Sequence, residues 1–127
     1  MNAIALVTAF ALIEYLWIGF SVGQARTQYG VAAPATSGNE IFERWFRVQQ
    51  NTLEQLVVFL PSLWLFGHYV SGRIGGLNGL VFIAGRYLYA RGYIEDPAKR
   101  GRGFMIGFGA TAVLLVGGLI GALGRIL

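Results

Sequence analysis

FMIGFGATAVLLVGGLIGALGRIL, residues 104–127, holds one charged side chain, Arg125, two places before its end. About 20 consecutive apolar residues are what a helix needs to cross the roughly 30 Å hydrocarbon layer of a bilayer. MNAIALVTAFALIEYLWIGFSVGQA, residues 1–25, repeats the pattern, with Glu14 as its only charge. Between them, EIFERWFRVQQNTLEQLVVFLPSLWLFGHYV, residues 40–70, starts polar and turns apolar. Pro61 interrupts it, which membrane helices tolerate because neighbours satisfy the freed carbonyl. A fourth apolar stretch covers residues 77–93. The connecting segments, RTQYGVAAPATSGNE, SGRIGG and EDPAKRGRG, collect Gly, Pro, Ser and Asn and read as loops. The expected fold is all-α: an integral membrane bundle of four helices.

Composition supports this. The 127 residues are 55% hydrophobic and only 13% charged, against about 25% charged in soluble domains, and mean hydropathy is +0.57. This length gives one domain, residues 1–127, too small to bury so much apolar surface in its own core. Lipid must cover the rest. The first apolar run has no Lys or Arg ahead of it and carries Glu14, so it reads as a retained helix, not a cleaved signal.

The absence of Cys means that any thiol chemistry must use the substrate's thiol. No His, Asp and Glu set has metal spacing, so no metal is expected. Ser21, Ser37, Ser62 and Ser71 lack a His–Asp arrangement, which argues against a serine triad. The formal charge of +4 points to topology or anion binding, with no nucleic acid partner. Arg26, Arg44, Arg47, Arg91, Lys99, Arg100 and Arg102 flank the first and third loops, against Arg73 and Arg125 elsewhere. By the positive-inside rule, those two loops face the cytoplasm and both termini lie outside. Spacings such as Gly117 to Gly121 permit close helix contact.

Charges within a bilayer are costly and face protein or water. Arg44, Arg47, Asn51 and Glu54 stand at helical offsets 0, 3, 7 and 10, so one face carries both signs and an amide. Two readings stay open. The stripe pairs internally, Arg47 with Glu54 or Arg44 with Glu40, or it forms a pocket for a zwitterionic small molecule, with Arg gripping carboxylates and Glu taking an ammonium. Arg86, Tyr89 and Tyr93 make a second stripe, with an interfacial aromatic belt as the plain alternative. Glu14 reads as a packing partner of Arg86 or a tyrosine, and His68 as an interfacial residue.

FERWFRVQQNTLEQ, residues 42–55, resembles the second-helix signature of the MAPEG superfamily, the membrane-associated proteins of eicosanoid and glutathione metabolism. GRYLY followed by ARGYIEDPAKR, residues 85–100, is similar to that family's third-helix end. The resemblance spans essentially the whole chain. It implies a membrane homotrimer binding glutathione between neighbouring subunits, near the cytoplasmic end, and acting as a glutathione transferase. Arg26 and Arg47 would bind the tripeptide's carboxylates, Gln49 and Asn51 its backbone, and Glu54 its amino group. Tyr89 and Tyr93 would line the site, supported by Arg86 and Arg44. Arg100 matches the arginine facing the glutathione sulfur. The partner substrate would be a lipophilic electrophile from membrane lipid, with lipid-hydroperoxide reduction as a second activity. Gln55, where relatives often have Tyr, and Thr27, where some have a second Arg, bear on that second substrate. A non-catalytic lipid-binding protein of this fold and a small membrane transporter are the alternatives.

Overall fold

Asn39 starts the helix that carries the polar stripe. Its Oδ1 accepts from the Phe42 N–H at 3.0 Å, and Glu40 and Glu43 in the first turn meet the positive end of the helix dipole. In a computed structural model describing residues 1–127, four helices run up and down: α1 Asn2–Tyr29, α2 Glu40–Tyr69, α3 Gly72–Glu95 and α4 Gly101–Ile126. A single 3-10 turn, Pro97–Arg100, joins the last two. At 1.5 Å per residue each helix is about 36–45 Å long, more than a bilayer core requires.

α1 and α4 are apolar all round, as a membrane span is. Ile4, Val7, Ala11 and Ile18 of α1 face inward, while Leu6, Ile13, Leu16 and Phe20 on its other side are more than half exposed. Length and apolarity alone mark α1 and the Pro97–Ile126 segment as candidate spans. α2 and α3 carry the polar stripes instead. α4 packs against one side of the α2–α3 pair and α1 against the other. Between them, Phe59 and Phe82 stack with ring centroids 3.7 Å apart, among Ile4, Val7, Leu63 and Leu114.

Three boundaries differ from the sequence expectation. α1 runs past residue 25 to Tyr29, so Arg26 lies on a helix; Gly30, at φ 69°, ends it. α3 starts at Gly72, not near residue 77, because Ser71 caps it by accepting from the Ile74 N–H at 3.1 Å. SGRIGG is therefore mostly helix, and its glycines serve contact rather than turning: a Cβ on Gly76 would lie 2.9 Å from that of Ala3. α4 likewise starts at Gly101, after Asp96 caps the 3-10 turn through the Ala98 N–H. Gly117 and Gly121 do bring helices close, but within the chain: they meet Phe66 and Tyr69 of α2.

Candidate functional site

Arg44 ties together the bundle end where α2 begins and α3 stops. It donates to the carbonyls of Ile94 at 2.8 Å and Glu95 at 3.3 Å and pairs with Glu40. A cation on the last carbonyls of a helix is favourable both as a hydrogen bond and against the dipole. Arg44→Ala should therefore cost about 1–3 kcal/mol of stability, measured by thermal unfolding in detergent.

One half of the internal-pairing expectation holds. The chain has two ion pairs, Arg44–Glu40 and Lys99–Glu95, and Arg47 and Glu54 form none. Both are exposed. They face a cavity of about 300 Å³ lined by Arg47, Gln50, Asn51 and Glu54 of α2, Tyr89 and Tyr93 of α3, and Arg100. Asn51, Tyr89 and Arg100 also border a space of about 200 Å³ reaching Phe104 on α4. Arg47 and Tyr93 border another of about 540 Å³ that opens among Ser37, Glu40 and Glu43. The cleft thus runs from a charged mouth to an aromatic floor, within the size range of small-molecule sites.

The turn carrying Pro97 puts Arg100 at this cleft. Arg100 NH1 donates to the Pro97 carbonyl at 2.7 Å, and its guanidinium lies 6.0 Å from the Tyr93 ring centroid. Tyr89 and Tyr93 stand 5.7 Å apart. Behind them Arg86 is fully buried. Its NH2 donates to Asn51 Oδ1 at 2.7 Å and Thr52 Oγ1 at 3.1 Å, and its guanidinium lies 4.2 Å over the Tyr89 ring. Glu14 of α1 lies near enough to act on Arg86 through its charge but forms no ion pair with it, and the hydrogen-bond acceptors of Arg86 come from α2.

Two expected site residues lie elsewhere in the subunit. Gln49 turns toward α1, its Nε2 3.3 Å from where a Cβ on Gly19 would sit, and Gln50 takes the place by the cavity. One residue along a helix is a 100° rotation, which separates the two glutamines. Arg26 donates to the Ala35 carbonyl at 2.7 Å and covers the Phe42 ring, away from the cleft. Gln50 was within reach of sequence reasoning: it lies three residues past Arg47 and four before Glu54. Thr52 and Phe104 gave no signal, since a threonine or a phenylalanine in an apolar helix is unremarked. His68 sits at the far end, edge-on to Tyr69.

The sequence model of the MAPEG family matches residues 4–120. The chain belongs to the MAPEG family. It is thus an integral membrane helical bundle, and the four observed helices are the family's. This MAPEG chain is 50% identical over 119 residues to an uncharacterised protein of Synechocystis sp., covering 94% of this chain and 87% of that one. It is 40% identical over 121 residues to microsomal glutathione S-transferase 2 of Homo sapiens, covering 95% and 80%. Leukotriene C4 synthase of Rattus norvegicus is 33% identical over 97 residues, covering 76% and 65%. At family level these relatives support glutathione-dependent transferase activity for the MAPEG chain.

Proposed function

We propose that this protein is a membrane glutathione transferase, acting through residues 1–127 as one domain. The observation that carries the reading is the cleft holding Arg47 and Glu54 unpaired, with Asn51, Tyr89, Tyr93 and Arg100 around them. Free charges of both signs beside an apolar bundle suit a zwitterionic tripeptide: Arg47 takes a carboxylate and Glu54 the ammonium. Arg100 then faces the sulfur and favours its thiolate, which attacks a lipophilic electrophile reaching the aromatic floor from the membrane. The sulfur forms the new bond, and the electrophile's leaving group departs. Lipid-hydroperoxide reduction would use the same thiolate: it attacks the O–O bond, releasing the alcohol and leaving a sulfenic acid, which a second glutathione converts to the disulfide with loss of water.

Arg26 and Gln49 support a site completed by a second copy. They lie off the cleft of their own subunit, along its α1–α2 side, which fits the homotrimer with glutathione between neighbours. In this reading the first and third loops and the cleft face the cytoplasm, and the termini lie outside. The mass of the detergent-solubilised particle checks the trimer.

Purified protein should conjugate glutathione to 1-chloro-2,4-dinitrobenzene. Glu54→Gln should raise KM for glutathione roughly tenfold or more, as expected for a charge-assisted hydrogen bond of about 1.5–3 kcal/mol. No conjugation and no glutathione binding by calorimetry would sink the reading.

A further inference from the structure

We infer that buried Arg86 is a positioning residue that fixes the Asn51 amide so that its NH2 group faces the ligand. Asn51 then recognises a carbonyl or carboxylate oxygen of the substrate, never an N–H. The inference rests on the transferase reading and names which group of the tripeptide meets Asn51.

A guanidinium has donors only, so whatever lies 2.7 Å from Arg86 NH2 must be the Asn51 oxygen. The amide nitrogen is thereby turned the other way. It makes no hydrogen bond to the protein, and it is not among the buried polar atoms without a partner. Asn51 lines two of the three spaces in the cleft, so a donor with two free N–H bonds is presented there. Flipping the amide would set NH2 against guanidinium and leave Arg86 with Thr52 Oγ1 as its one remaining acceptor. Arg86 already has Nε and NH1 unsatisfied, which makes the acceptors Asn51 and Thr52 the harder to give up. The arginine has no exposed surface, so it acts on the ligand only through Asn51 and the stacked Tyr89 ring.

Asn51→Asp tests this. Aspartate keeps an oxygen on Arg86 and gains an ion pair, so the fold should hold. The group facing the cleft changes from donor to acceptor, and glutathione affinity by calorimetry should fall at least tenfold. Arg86→Lys, again donor-only, should keep affinity within about threefold (roughly 0.6 kcal/mol), whereas Arg86→Met, which releases the amide, should lose about tenfold (roughly 1.4 kcal/mol). Should Asn51→Asp fail to fold, Asn51→Ala must show the same loss. Glutathione binding by Asn51→Asp or Asn51→Ala within twofold of the native protein would overturn the inference while leaving the transferase reading intact. Absence of binding by the native protein would overturn both.

Discussion

In Arg100→Ala, turnover near pH 6.5 should fall about fiftyfold and nearly recover near pH 9, with KM for glutathione changed little. A free cysteine thiol has a pKa of about 8.5. Lowering it by two units requires roughly 2.7 kcal/mol of preference for the thiolate. One guanidinium about 4 Å away supplies up to about 4 kcal/mol at an effective dielectric of 20, which covers a shift of that size in the proposed arrangement. With the pKa near 6.5, about half the bound thiol is ionised at that pH. At 8.5 only about one part in a hundred is, and the gap closes above pH 9. Arg suits the task because it keeps its own proton throughout. Its tether to the Pro97 carbonyl uses only NH1, leaving other donors for the sulfur. The check is kcat against pH for both proteins with a saturating electrophile. A loss equal at every pH would assign Arg100 to binding or folding, not to the thiolate.

The second large effect concerns packing. Gly103→Ala should abolish recovery of folded protein, at a cost of about 4 kcal/mol or more. A Cβ on Gly103 would collide with the backbone N of Tyr89 and come within 2.8 Å of the Gly85 carbonyl. Two packed helix backbones cannot yield as a flexible side chain can. Gly85 makes the reciprocal contact, its Cβ position lying 2.7 Å from the Gly107 nitrogen, so α3 and α4 touch main chain to main chain just behind Tyr89. Gly109 is the control. Nothing lies within 4 Å of its Cβ position, and Gly109→Ala should leave stability unchanged or raise it by about 0.5–1 kcal/mol through helix propensity. Size-exclusion profiles and thermal unfolding of the two variants side by side decide the matter; equal behaviour would refute the close-contact account.

These glycines also mark where sequence reasoning stopped. Four helices were legible because apolar run length is a one-dimensional property. The α2 stripe was legible because charges in an apolar helix are costly enough to need a reason. Glycine is different. SGRIGG reads as a connector, and only the neighbour across the gap, Ala3 against Gly76, shows that a helix needs those positions empty. Arg26 reads as a loop residue because a charge after an apolar run looks like a boundary, though α1 continues for another turn. The Arg47–Glu54 question was undecidable from spacing, since the same offsets that put them on one face let them pair or bind. That they form no ion pair, and stand in the cleft that α3 and the Pro97 turn build around them, is a long-range fact. Gln49 and Gln50 differ by one position, and a single helical rotation decides which meets the cavity.

The buried guanidinium of Arg86 also bears on how the chain enters a bilayer. An arginine at mid-helix carries an insertion penalty of about 2.5–3.5 kcal/mol, which acceptors from a neighbouring helix reduce. Asn51 and Thr52 sit one helix earlier, joined through the two-residue connection between Tyr69 and Gly72. The second and third spans therefore insert at lower cost as a preassembled hairpin, with those two oxygens already accepting from the still-charged guanidinium.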